Sequence, residues 1–184
     1  DAEEIPDLKF PKNSSNTTKS EIRSVMYSMI SKDRMSTELL HETDKNPIEM
    51  FYKLLDKNKV KYDKVFLEKI YKDVAIIVLK LKVKYSRPRP EVLGPQLGFD
   101  LASIKTDTDN TPAFPSGHTS QAWTVAMFLS NQYPKFKPDF HKIATQIEQS
   151  RIDRGAHYPS DNRAARTLAK RYLYPNIDKS NYLK

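Results

Sequence analysis

The sequence predicts an all-α fold, a single-domain helical bundle. Three observations predict it. Apolar residues recur at helical spacing in several windows, the first at Ile22, Val25, Met26, Met29 and Ile30. No stretch alternates apolar and polar residues strongly enough for a half-buried strand, and no internal repeat is visible. A length of 184 residues with 38% hydrophobic residues suits one domain with its own core.

The elements follow in order. Residues 1–18 have no period and are rich in Pro, Asn, Ser and Thr, so they read as an arm; residues 19–184 form the helical domain. The sequons at Asn13 and Asn16 mark a loop there. Thr18 and Glu21 have capping-box spacing ahead of the first helix. Asn46-Pro47 predicts a second helix start, with Ile48, Phe51, Tyr52 and Leu55 as its apolar side. A longer helix is predicted over about 63–84. Its middle, Val74 to Leu79, is apolar all round, which predicts a central place in the bundle. Residues 86–115 hold five of the twelve prolines and read as a long loop, a feature often functional in compact domains. Ser116 or Gly117 opens a helix to about Gln132. Pro134 to Pro138 break it, and Asp139 starts another with Phe140, Ile143, Ala144 and Ile147 inward. Ser160 or Asp161 caps a last helix that packs through Ala164, Ala165, Leu168, Ala169 and Leu173.

Composition narrows the function. There is no cysteine, which excludes disulfides, thiolate metal sites and cysteine nucleophiles. The longest pure apolar run is Val74 to Leu79, far short of the roughly 20 residues a membrane span needs. The formal charge of +8 attracts anions. The lysines are spread rather than gathered in one run, which counts against a nucleic-acid partner.

Three motifs carry the chemistry. They are Lys82 with Arg89-Pro90, then Pro115-Ser116-Gly117-His118, then Ser150-Arg151 with His157 and Asp161. Phosphomonoester cleavage needs neutralised equatorial oxygens, an in-line nucleophile and a proton for the leaving oxygen. Lys82, Arg89 and Arg151 supply the charge; Arg offers a forked donor and Lys a point charge. Ser116 supplies a hydroxyl. Gly117 lets the backbone approach the anion, and a helix N-terminus there adds free N–H groups. Asp161 follows His157 by four residues. A carboxylate accepting from one ring nitrogen fixes the tautomer and frees the other nitrogen to attack. The spacing therefore assigns His157 as nucleophile, Asp161 as its orienter and His118 as general acid; without Asp161 the two histidines could exchange roles. This set needs neither metal nor cofactor.

Other polar residues read as structural. His41 and His141 lie outside any motif. Arg87 reads as a salt bridge or loop anchor. Asp107 and Asp109 lack the further clustered ligands of a cation site and read as a polar loop.

The motifs resemble those of the type 2 phosphatidic acid phosphatase superfamily, which includes class A non-specific acid phosphatases, lipid phosphate phosphatases, glucose-6-phosphatase and vanadium haloperoxidases. The resemblance spans residues 82–161. The segments Phe114 to Ser120 with Trp123, and Gly155 to Asp161 with Ala164-Ala165-Arg166, look like the soluble bacterial acid phosphatases. It implies a helical bundle of the acid phosphatase/vanadium haloperoxidase type and a phosphohistidine on His157. Protonation by His118 and a phosphate cradle of Lys82, Arg89, Ser116, Gly117 and Arg151 follow as well. Vanadate should bind as a transition-state mimic. The expected partner is a small phosphomonoester, with a lipid phosphate as a variant, and the family suggests export to a periplasm or outside the cell.

Two other functions compete. A vanadium-dependent haloperoxidase would hold vanadate in the same pocket and oxidise halide. A catalytically idle phosphate- or nucleic-acid-binding module would bind with strong salt dependence and no turnover.

Overall fold

A computed structural model describes residues 5–178, with the Asp107 side chain outside the described set. The first four residues of the expected arm and the last six of the expected helical domain therefore lie outside the described residues. Among the described residues the regular structure is entirely helical.

Helix α1 is Asn16–Ile30. Its cap is Ser15, whose Oγ accepts from Thr18 N at 3.1 Å. The expected Thr18 cap is thus displaced by three residues. Glu21 does not close a capping box but reaches across the fold to Ser160, Arg87 and Arg163. Helix α2, Thr37–Lys45, was not foreseen; it is short and capped by Ser36. Helix α3, Glu49–Lys57, starts two residues past Pro47 and buries Phe51, Tyr52 and Leu55 as expected.

Helix α4 is Lys64–Tyr85, capped by Asp63. Its inner stripe is Phe66, Ile70, Val74, Val78 and Leu81, spaced by three and four residues. Ile76, Leu79 and Val83 face outward. The expectation of a central α4 is therefore corrected: all-round apolarity did not bury all sides of this helix. The most enclosed helix is α6, Gly117–Gln132, which buries eleven of its sixteen residues. Small side chains make this possible. Thr124 and Ser130 return their hydroxyls to carbonyls one turn back, so buried polar groups stay satisfied.

The loop expected over 86–115 contains helix α5, Pro90–Gln96, and a 3-10 turn at Asp107–Asp109. Pro90 stands at the first helical position, where its fixed φ favours a start and its missing N–H costs nothing. Pro134–Phe136 form a second 3-10 turn, and α7, Lys137–Asp153, begins two residues before Asp139, with Pro138 in its first turn. Helix α8, Pro159–Leu168, is capped by Tyr158 rather than Ser160 or Asp161; it runs into a π-helical turn, Ala169–Leu173. The core lies where α4, α7 and α8 pack on α6, with contacts such as Phe66 on Phe128 at 5.3 Å between ring centres.

Candidate active site

Four segments bring the motif residues to one cavity. Lys82 comes from the end of α4, Arg89 from the approach to α5, Gly117 and His118 from the start of α6, and Arg151 and His157 from the α7–α8 junction. All six line a cavity of about 240 Å³.

The α7–α8 turn is built tightly. Arg151 O accepts from both Ala156 N at 3.0 Å and His157 N at 3.2 Å. Gly155 has φ +77°, and a Cβ there would stand 2.7 Å from Met29 Sδ and 3.3 Å from the Ser103 backbone. Only glycine fits both the left-handed backbone and the close approach. This turn aims the buried His157 ring at the cavity.

Asp161 holds that ring in one state. His157 Nδ1 lies 3.1 Å from Asp161 Oδ2. On its other edge, Arg89 Nη1 lies 3.4 Å from Nε2. A guanidinium only donates, so Nε2 presents its lone pair and Nδ1–H donates to Asp161. Burial first, then the charges of Arg89, Lys82 and Arg151, push the His157 pKa well below its usual value. Both effects disfavour the protonated ring. Asp161 itself is fully buried; burial raises its pKa, opposed by Arg87 and the Tyr158 N–H.

Arg87 is the loop anchor the sequence suggested. Its Nη1 donates to Asp161 Oδ1 at 2.5 Å and Ser160 Oγ at 2.8 Å, and its Nη2 lies 3.4 Å from Glu21 Oε2. Its guanidinium carbon stands 3.8 Å from the Tyr158 ring centre and 4.8 Å from that of Phe10. Glu21, Arg87, Asp161 and His157 form a continuous buried line from α1 to the cavity.

His118 Nε2 lies 2.9 Å from the Asp44 carbonyl, so it donates there and Nδ1 carries the lone pair. Burial and then Arg151 depress its pKa to about 3. Lys82 Nζ donates to Pro112 O, and burial, then Arg89, lower its pKa to about 7. Burial, then the neighbouring Arg154, bring Arg151 down to about 10. The His118, Lys82 and Arg151 shifts share one origin: burial comes first, and neighbouring cations that outnumber the carboxylates add to it.

Two expected phosphate ligands sit differently from the rest. The Ser116 hydroxyl is buried and donates to Thr119 Oγ1 at 2.9 Å, so it is turned from the cavity. Thr119 passes the bond on to Asn162 Oδ1 at 3.0 Å, locking α6 to α8. Gly117 lines the cavity at the α6 N-terminus; a Cβ there would meet Lys82 Cε and Val78 Cγ1 at 3.8 Å, ordinary contact. Its free backbone, rather than steric need, suits it to an anion.

The sequence reading missed two residues of the site. Asp44, on the unforeseen α2, places Oδ1 2.6 Å from Arg151 Nη1 and 2.6 Å from Arg154 Nη1. Thr108 Oγ1 donates to it at 2.8 Å. Burial, the largest single effect, would raise the Asp44 carboxyl, but the charge and hydrogen bond of Arg151, with His118 and Thr106, together outweigh it and hold the pKa at about 2. Arg154, also cavity-lining, continues to Asp109 Oδ2 at 2.5 Å, and Asp109 Oδ1 lies 3.3 Å from Arg89 Nη1. The result is an alternating chain of Arg151, Asp44, Arg154, Asp109 and Arg89 along the cavity. Asp109 is thus an arginine clamp rather than a member of a plain polar loop. No group of three or more metal-ligating side chains occurs among the described residues. His41 is exposed and His141 packs edge-on to Trp123, both outside the cavity.

The match to the PAP2 superfamily covers residues 73–172, which contain every motif residue. The chain belongs to the PAP2 superfamily. Among curated relatives it is similar to the non-specific acid phosphatase of Providencia stuartii, 30% identical over 122 residues, which is 64% of this chain and 47% of that protein. It is also similar to the non-specific acid phosphatase of Salmonella typhi, 33% identical over 89 residues, 46% of this chain and 34% of that one. The matched part is thus half or less of each relative's length. A transmembrane PAP2-type phosphatidylglycerolphosphate phosphatase from Bacillus subtilis shares the fold, with a TM-score of 0.58 at 17% identity, covering 92% of this chain and 89% of that one. No described helix here is long and apolar enough to cross a membrane.

Proposed function

We propose that this chain is a metal-independent phosphatase that hydrolyses phosphomonoesters through a phosphohistidine on His157. The observation that carries the reading is the His157 ring, held by Asp161 on Nδ1 and facing guanidinium on Nε2. A binding module has no need of a buried neutral imidazole with its lone pair aimed at the anion site.

The steps follow from the groups present. A dianionic phosphate enters among Lys82, Arg89, Arg151 and the α6 N-terminus, exchanging water for charge-assisted bonds. Its negative charge offsets the crowded cations and raises the His118 pKa, so His118 is protonated with substrate bound. Nε2 of His157 attacks phosphorus, and the P–O bond to the alcohol breaks. His118 gives a proton to the leaving oxygen. With Nε2 anchored on the Asp44 carbonyl, Nδ1 is the nitrogen that exchanges the proton. Water, deprotonated by His118, then attacks phosphorus. The P–N bond breaks, inorganic phosphate leaves and His157 returns neutral. Asp161 stabilises the positive charge His157 carries in the intermediate. Small soluble phosphomonoesters are the proposed substrates, and export to a periplasm or beyond the cell is the proposed setting.

The test is hydrolysis of p-nitrophenyl phosphate across pH 4 to 8 in EDTA, with and without vanadate. Turnover that EDTA spares and vanadate blocks is expected. No turnover at any pH would overturn the reading, and halide oxidation with vanadate and peroxide would then point to a haloperoxidase.

A further inference from the structure

The outward face of α4 has no partner among the described residues and borders the cavity. Val65 is 77% exposed, Ile76 57%, Leu79 49% and Val83 67%. At 3.6 residues per turn, the spacings of 11 and 7 put Val65, Ile76 and Val83 within roughly 20° of one line, about 27 Å long. Leu79 and Ala75 lie beside that line, on the flank that lines the cavity. On the other flank stand Lys69, Lys80 and Lys84, with Lys72 in the line itself, all exposed. Lys69 is paired with Asp73, while Lys72 and Lys80 have no ion pair among the described residues.

A convex apolar ridge with a lysine border asks for a flat partner that is apolar within and anionic at its surface. Ile76, Leu79 and Val83 follow one another at three and four residues, so these exposed apolar side chains form a patch rather than scattered surface noise. A second copy paired about a two-fold axis would bring like lysine borders together, which costs. An anionic lipid surface meets both parts, because the interface takes up the apolar side chains while headgroups pair the lysines.

We propose that the outer face of α4 docks this protein on an anionic membrane surface, with Ile76 and Val83 entering the headgroup layer and Lys72, Lys80 and Lys84 pairing with phosphates. The docking places the cavity mouth, through Leu79 and Ala75, beside the lipid headgroups. Binding in this way does not depend on the proposed phosphatase chemistry.

Co-sedimentation with vesicles tests it. One set is phosphatidylcholine alone; the other carries about one-third phosphatidylserine. The native chain should bind the anionic set at least about tenfold better and release as salt screens the lysines. Ile76→Ser with Val83→Ser should cut binding about tenfold or more, and so should Lys80→Glu with Lys84→Glu. None of the four lines the cavity, so circular dichroism and p-nitrophenyl phosphate hydrolysis, if the chain has it, should stay within about twofold. Absence of binding to anionic vesicles, or equal binding by both double variants, would overturn the proposal. So would a dimer in solution that Ile76→Ser with Val83→Ser dissociates, since a second copy would then cover the face.

Discussion

Replacing Asp44 by Asn tests how the cations of the cavity coexist. The carboxylate is buried and lies 2.6 Å from both Arg151 Nη1 and Arg154 Nη1. The Asn amide keeps the shape but removes the charge. Arg154 retains the Asp109 carboxylate, whereas Arg151 keeps no carboxylate among the described residues and rests on neutral acceptors such as the hydroxyls of Ser150 and Thr43. Two measures give the size of the loss. The Asp44 pKa falls from 3.8 to about 2, which corresponds to roughly 2–3 kcal/mol. Breaking a buried pair from one side costs about 3–5 kcal/mol. Both point to about 3 kcal/mol, or a fall in melting temperature of about 6–12 °C for a chain of this size. The carboxylate is lowered in the folded state, so its contribution is complete above about pH 4 and is lost as pH falls through about 2. Differential scanning fluorimetry at pH 7 measures the loss. Inorganic phosphate should restore more stability to Asp44→Asn than it adds to the native chain, because it meets the freed arginines. A melting temperature within about 2 °C of native, or no added response to phosphate, would refute this account of the clamp.

Two further outcomes are expected. Asp161→Asn should lower kcat on the order of 10⁴-fold by favouring the wrong His157 tautomer, and steady-state kinetics with p-nitrophenyl phosphate would show it; a rate within tenfold of native would remove the orienting role. The Lys82 pKa of about 7 should appear as a fall in kcat/KM above pH 7, as the ammonium that binds phosphate loses its charge. Lys82 is lowered in the folded state, so folding stability from this group rises with pH between about 7 and 10.5. Lys82→Met should abolish that limb, and a limb that persists would belong to another group.

Local residue spacing made some of the structure legible and hid the rest. The extents of α4 and α6, with the α4 start at Asp63, follow from periodicity and local punctuation. The capping-box spacing of Thr18 and Glu21 misled, because Ser15 satisfies the helix start and Glu21 finds Ser160 across 139 positions. An apolar run such as Val74 to Leu79 says that a helix can be buried, not which side is; the small-residue α6 took the centre instead. The candidate site was readable as far as its residues fall in dense motifs. Asp44 lies in none, one carboxylate among 23 acidic residues. The available signal was chemical: several predicted cations around one pocket require buried counter-charges, and α2 supplies one. The Ser116 hydroxyl shows the reverse case, a motif residue whose side chain serves the α6–α8 contact.

Trapping the intermediate tests the central claim most directly. Enzyme mixed with a phosphorus-labelled monoester and quenched in base within one turnover should carry label on His157, as a phosphoramidate stable to base and lost in acid. His157→Ala should carry none and turn over no substrate. Label on another residue, or turnover by His157→Ala, would contradict the account.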